Sequence, residues 1–138
     1  HNGAEENLKI HGPEIDVPIA GLLEDLDRRG MLEETLVVWG GEFGRQPVSQ
    51  GNNGGRDHNP KGFSYFLAGG GVNAGTSYGE TDPLGHEAAV NKHHVRDLHA
   101  TILHLMGLNH ESLTYHYGGL DQRLTGVVPA EVIKGVLA

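Results

Sequence analysis

The fold prediction starts from the apolar run Thr35-Leu36-Val37-Val38-Trp39, which ends at the glycine pair Gly40-Gly41. A short, continuous run of β-branched and apolar residues next to glycines is typical of a strand that is buried on both faces of a parallel sheet. Residues 16–30 precede it and carry apolar side chains at helical spacing, so a helix is followed by a strand as in half of a βαβ unit. The run therefore predicts an α/β fold.

Other segments extend this prediction. A second strand is predicted at residues 63–68, and a second helix is predicted at residues 94–106, where Gly107 ends it. Residues 1–13 are polar and contain glycine and proline, which indicates a loop, and residues 46–61 form a second, longer loop. After the second helix, residues 115–138 indicate a strand or two and a terminal helical turn at 130–134.

The composition restricts the class of protein. With 138 residues and a hydrophobic fraction of 37%, the chain suffices for one modest core, so it represents one domain or part of one. The formal net charge of -8 would repel nucleic acid. No apolar run approaches the roughly 18 residues that indicate a membrane span. Because the chain lacks cysteine, any metal must be bound by nitrogen and oxygen, and the ten histidines are the unusual feature.

The loop after the first predicted strand contains the first candidate binding residue. In open α/β sheets ligands bind beyond the carboxyl ends of the strands, which is where residues 40–45 are expected. Glu42 is flanked by glycine-rich sequence, so its carboxylate suits a metal ligand or a general base. The structural alternative is a loop carboxylate that caps a neighbouring helix.

The second loop contains a further cluster of polar residues. Asp57 and His58 are adjacent, so in extended backbone their side chains point to opposite sides, which suits one metal ligand and one supporting group or a ligand to a second ion. Arg45 and Arg56 offer planar donor groups for a phosphate or sulfate, although each could instead neutralise Glu42 or Asp57.

The histidines near the second helix do not follow a zinc pattern. His99 and His104 are five residues apart, so they do not share a helix face as an i, i+4 pair would. His93 and His94 precede the helix. We expect these side chains to be hydrogen-bonded groups that pack the helix against a loop rather than metal ligands.

Three ordered motifs resemble a known family. The motifs are residues 35–45, the sequence Gly55-Arg56-Asp57-His58-Asn59-Pro60, and residues 97–108. Together they resemble the C-terminal half of the uncharacterised sulfatase-like bacterial proteins of the alkaline phosphatase superfamily, over residues 1 to about 126. The resemblance implies a partial three-layer sandwich, with a mostly parallel sheet flanked by helices. It also implies that residues 1–138 are the C-terminal portion of one domain, whose remainder lies upstream of His1, and that the protein is periplasmic or secreted.

The resemblance further implies a function and a ligand set. The complete protein would be a metal-dependent hydrolase of small-molecule or carbohydrate sulfate or phosphate esters, with metal ligands Glu42, His58, Asp57 and His1 and substrate-binding residues Arg45 and Arg56. Where the superfamily has an Asp-His-Gly signature, this chain has Glu42-Phe43-Gly44. The nucleophile is absent, so the isolated chain is expected to be inactive. The metal is zinc, calcium or magnesium. The alternative is a noncatalytic relative that retains the fold as a binding or structural module.

Overall fold

The computed structural model describes residues 2–138. The first element is the helix α1, Ala4–Arg28, which has 25 residues and none that is buried. It includes Pro13 and Pro18, so the predicted loop at residues 1–13 is wrong. Carboxylates at Glu5 and Glu6 stabilise the first turn through the helix dipole, and the helix continues through Gly12-Pro13. The helix ends at the predicted position, where Gly30 adopts a φ of 66° that favours glycine.

The strands of the described residues form four separate two-stranded antiparallel sheets. They pair as β1 (Val37–Gly40) with β4 (Tyr65–Ala68), β2 (Gly44–Arg45) with β3 (His58–Asn59), β5 (Glu80–Thr81) with β6 (Ala88–Val90), and β7 (Thr114–Tyr117) with β8 (Leu120–Arg123). Both predicted apolar strands therefore exist, as β1 and β4, but they pair with each other in opposite directions.

The predicted three-layer sandwich with a mostly parallel sheet is wrong. A parallel pair requires a crossover connection, usually a helix, but only β2, β3 and loops lie between β1 and β4. The strand β1 is also not buried on both faces, because Val38 is 38% exposed and Trp39 is 50% exposed. The continuous apolar run thus predicted a strand correctly and the environment of that strand incorrectly.

The core of the described chain lies around the second helix. This helix, α2, spans Val95–Leu105 and ends before Gly107, whose φ is 75°, as the sequence predicts. The buried apolar side chains within residues 2–138 are Leu98, Ala100, Leu103 and Ile133. Three of them come from α2 and one from the C-terminal part of the chain, so the core is formed where that part packs on the helix.

The C-terminal segment, which we define as residues 131–138, crosses both α2 and the loop after β4. It contains a 3₁₀ turn at Lys134–Val136, near the predicted helical turn. Backbone bonds join it to the loop: Asn73 donates to Val136 O at 2.9 Å and Ala138 donates to Gly71 O at 3.0 Å. The ring of Tyr78 packs so closely on Gly135 that a Cβ there would overlap it.

Two features of the fold position the loops of interest. The strand β1 ends at Gly40, and the short β2 follows after three residues, so residues 41–43 form a tight connection. Gly44 in β2 lies against the carbonyl of Gly62, and a Cβ at this position would overlap that oxygen. None of the helices described for residues 2–138 is long and apolar enough to cross a membrane.

Candidate functional site

The pairing of β2 with β3 brings two predicted metal ligands together. Gly44 lies opposite Asn59 and Arg45 lies opposite His58, so the residues just before β2 are near the start of β3. Oε1 of Glu42 and Nδ1 of His58 are 3.3 Å apart. The Glu42 side chain is 71% exposed and the His58 side chain is 37% exposed, so the pair lies at the surface and is accessible to solutes. The predicted convergence of the two loops is therefore present.

The imidazole of His58 is held by its neighbours. The backbone N–H of His58 donates to Oδ1 of Asp57 at 2.8 Å, which fixes the local backbone. The ring of Phe43 contacts the imidazole edge-on, with centroids 5.8 Å apart and an angle of 82° between the planes. Such an arrangement favours one ring orientation. The Asp57 carboxylate is thus bonded to the backbone of His58, and its role as a metal ligand or an orienting group stays a prediction.

A buried asparagine supports this strand and was not among the candidate residues. Asn59 is 1% exposed, and its Nδ2 donates to the carbonyls of His86 at 3.0 Å and Gly85 at 3.4 Å. Its Oδ1 accepts from the backbone N–H of Lys61 at 3.1 Å. Asparagine before proline is a common turn residue, so the sequence did not distinguish this support from an ordinary turn.

The two candidate arginines have different surroundings. Nη1 of Arg56 donates to Ser49 Oγ at 2.7 Å and to the carbonyls of Gly54 and Gly55, each at 3.1 Å. These bonds tie Arg56 to its own loop. Arg45 is exposed and makes one long bond, from Nη1 to Arg56 O at 3.5 Å. Arg45 is therefore better placed than Arg56 to meet an anionic ligand.

Several other histidines have hydrogen-bonding roles. Nδ1 of His94 accepts from the backbone N–H of Arg96 at 3.2 Å, so this exposed histidine caps the start of α2. Nδ1 of His116 lies 2.8 Å from Oδ1 of Asp121 across the β7–β8 hairpin, a partner that the sequence did not reveal.

The separation of Glu42 and His58 fits two ligands of one cation. Zinc binds imidazole nitrogen and carboxylate oxygen at about 2.0–2.2 Å, which places two tetrahedral ligand atoms roughly 3.4 Å apart. The same distance also describes an ion pair with a protonated imidazole. Within residues 2–138 no group of three or more candidate ligand side chains converges, so Glu42 and His58 are two candidate ligands and do not form a complete metal site by themselves. The predicted ligand His1 lies outside the described residues.

Comparison with known proteins identifies a family over almost the whole chain. The model of a family described as "Protein of unknown function (DUF1501)" matches residues 1–137. Neither a curated protein nor a solved structure matches the sequence. No sulfatase or alkaline phosphatase family is found, so the resemblance to that superfamily is wrong. The three motifs on which it rested are short segments, from a strand and the loop after it, from a loop, and from α2, and their spacing alone did not define the fold.

Proposed function

The chain belongs to the DUF1501 family, and we propose that it forms part of a metal-dependent hydrolase of sulfate or phosphate esters. The observation that supports the proposal is the 3.3 Å separation of Glu42 Oε1 and His58 Nδ1 at an accessible surface. An imidazole ligand favours zinc over calcium or magnesium, which prefer oxygen ligands.

The residues around the pair suit an anionic ester. Glu42 and His58 would hold the cation, while Asp57 and Phe43 keep the His58 backbone and ring in place. Arg45 is the residue opposite His58 in the β2–β3 pair, so its guanidinium extends from the neighbouring strand. A guanidinium matches the planar oxygen arrangement of sulfate and phosphate groups.

The proposed chemistry follows from the negative charge of a sulfate or phosphate ester. A divalent cation held by Glu42 and His58 would supply Lewis-acid chemistry at an ester oxygen. Arg45 neutralises part of the charge on the sulfate or phosphate group, which lowers the cost of bringing a nucleophile to it. Glu42 and His58 would fix the position of the cation. Asn59 holds the strand that carries His58 in place through its side-chain hydrogen bonds.

The first experiment measures metal content and zinc affinity of the complete protein and of Glu42→Ala and His58→Ala. We expect each variant to lose more affinity than the roughly 10–100-fold that loss of a supporting group costs, because each removes a direct ligand. Glu24→Ala on α1 and His116→Ala on β7 are matched controls, since both residues are exposed and lie on other elements. Unchanged zinc affinity in both ligand variants, or no bound divalent cation in the complete protein, contradicts the proposal.

The second experiment separates catalysis from metal binding. Hydrolysis of aryl sulfates and aryl phosphates is measured for the complete protein and for the same variants. We expect activity that falls together with metal content in Glu42→Ala and His58→Ala. Arg45→Ala should retain the metal and raise KM for the anionic ester. Metal binding without hydrolysis of any ester in the panel would reject the enzyme and favour a noncatalytic binding module.

A further inference from the structure

The helix α2 begins with a titratable N-cap. His94 has extended backbone angles, with φ at -89° and ψ at 155°, and its Nδ1 accepts from the backbone N–H of Arg96 at 3.2 Å. Oδ2 of Asp97 accepts from the backbone N–H of His94 at 2.8 Å, which completes a capping box. Most helices use serine, threonine, aspartate or asparagine at this position. An imidazole nitrogen accepts a hydrogen bond only while it carries no proton.

The same capping box also binds the C-terminal segment. Oδ1 of Asp97 accepts from the backbone N–H of Glu131 at 3.0 Å, and one turn later Oγ1 of Thr101 accepts from the backbone N–H of Ile133 at 2.9 Å. The Asp97 side chain is 15% exposed. Residues 131–138 are therefore attached to α2 through its first two turns, and Asp97 belongs to both the cap and the attachment.

Asp97 stays ionised when histidines titrate. Partial burial raises the pKa of Asp97, but the N–H groups of Glu131 and His94 and the nearby His93 outweigh this effect, so the pKa lies below its usual value. Histidine side chains generally change charge between about pH 5 and 8. Of the two side-chain acceptors in this capping box, Nδ1 of His94 is the one that belongs to a histidine.

We propose that His94 and Asp97 form a pH-responsive clasp, which holds residues 131–138 on α2 while His94 is neutral and loosens them when His94 is protonated. A proton from solvent on Nδ1 removes the acceptor of the Arg96 N–H. It also places a positive charge at the positive end of the helix dipole. The first turn of α2 then frays, and Asp97, which lies in that turn, loses its fixed position under Glu131. The inference does not depend on the proposed metal site.

Other charged groups surround the clasp and affect the design of the test. Nδ1 of His93 lies 3.6 Å from Oδ2 of Asp97, and the His93 ring stacks on Tyr78 with centroids 5.8 Å apart. Protonated His93 would attract Asp97 and so oppose the effect of His94. Three further charged residues line the same surface hollow as His94 and Asp97: Lys92, Arg96 and Glu131. Glu87 forms an ion pair with Lys92. The two histidines must therefore be varied separately.

The test measures amide hydrogen exchange of the complete protein at about pH 7.5 and 5.5, which lie towards the two ends of the pH range in which histidines usually change charge. The rates are corrected for the intrinsic exchange rate at each pH. In the unmodified protein we expect exchange in peptides covering residues 94–98 and 131–138 to rise about fivefold at the lower pH, which corresponds to loss of an N-cap worth about 1 kcal/mol. His94→Asn should show the same protection at both pH values, because an amide oxygen caps the helix and does not titrate.

His93→Asn is the matched control and should retain the acid response. If His94→Asn has already lost protection at the higher pH, His94→Asp is measured instead, since the aspartate carboxylate accepts a hydrogen bond at both pH values. The proposal is overturned by an equal acid response in the His94 variants, by its disappearance in His93→Asn, or by no response in the unmodified protein.

Discussion

At the scale of single residues, the buried side chain of Asn59 decides how His58 is presented. Asn59 follows His58 directly in β3 and bonds to the carbonyls of Gly85 and His86 in the β5–β6 connection. Its side chain is 1% exposed, so these bonds are made in a site where water does not replace them. A buried amide without partners is costly, which makes Asn59 a support for the strand rather than an interchangeable turn residue.

We predict that Asn59→Ala destabilises the protein by about 1–3 kcal/mol, because the carbonyl of His86 and the N–H of Lys61 lose a buried partner. The free energy of unfolding is measured in urea. Gln50→Ala is the control, since Gln50 is exposed in the adjoining loop and its replacement should change stability by less than about 0.5 kcal/mol. Equal stability of Asn59→Ala and the unmodified protein would show that this amide does not support the strand.

At the scale of elements, the attachment of the C-terminal segment to α2 organises the core. Oγ1 of Thr101 donates to the carbonyl of Asp97 at 2.7 Å and accepts from the N–H of Ile133 at 2.9 Å. Thr101 is fully buried, and Ile133 is one of the buried apolar residues. One hydroxyl thus satisfies a backbone donor of the C-terminal segment where that segment packs on α2. The polar bond and the apolar contact support each other.

We predict that Thr101→Val costs about 1–3 kcal/mol although it preserves the shape of the side chain, because the N–H of Ile133 is left buried without an acceptor. Thr101→Ser is the matched control: it keeps the hydroxyl and should retain protection of the Ile133 amide. Thermal or urea unfolding measures the stability, and hydrogen exchange measures the amide. If the valine variant is as stable as the serine variant, the hydroxyl has no such role.

At the scale of the whole molecule, the described chain buries little apolar surface. The four sheets of the described residues have two strands each and are not hydrogen-bonded to one another. Trp39 and Phe66 lie opposite each other in the β1–β4 pair and are 50% and 42% exposed. In the β7–β8 hairpin, Tyr115 and Tyr117 stack on each other and are each 67% exposed. The described residues thus expose many large apolar side chains, and polar contacts such as those of Asn59 and Asp97 join segments outside the small core.

Three aspartates of the described residues make the folding stability of the protein pH-dependent in acid. The Arg28 and Arg29 side chains lower the pKa of Asp25, and the N–H groups of Glu87 and Leu84 lower the pKa of Asp82. For Asp97, partial burial raises the pKa, but the bonds from Glu131 and His94 outweigh it. A lowered pKa means that the folded state binds protons less readily than the unfolded state. The associated stability is present above about pH 4, the unfolded value, and is lost as pH falls through the lower folded values.

We predict that the free energy of unfolding falls steadily as the pH drops below about 4, where these aspartates bind protons in the unfolded state more readily than in the folded state. Urea unfolding between about pH 5 and 2 measures the slope. Asp97→Asn should be less stable at pH 5 and should show a smaller fall, because its side chain does not titrate. Glu24→Gln, on the exposed surface of α1, is the control and should keep the slope of the unmodified protein. A slope that Asp97→Asn leaves unchanged would contradict the role of Asp97.

Some residues of the candidate site could be predicted from the sequence and others could not. Glu42 and His58 were predicted from chemistry and loop position, and the structure places them 3.3 Å apart. The sequence predicted that the two loops meet at the edge of a parallel sheet, but they meet through the antiparallel β2–β3 pair. Asn59 was missed, since a buried support and an exposed turn residue have the same local sequence. The sequence also did not reveal that Arg56 bonds to its own loop, because the acceptors of its side chain are mainly backbone carbonyls.

The sequence by itself determined the local elements: the strands around residues 37–40 and 65–68, the helix α2 and its end at Gly107, and the stop of α1 near Gly30. These depend on side-chain periodicity and on backbone angles that glycine favours, which are properties of a few consecutive residues. The tertiary structure alone decided the direction of strand pairing, the exposure of Trp39 and the partners of Asp97 and Asn59. Each of those depends on contacts between residues far apart in the chain, and an apolar strand has the same composition whichever neighbour it pairs with.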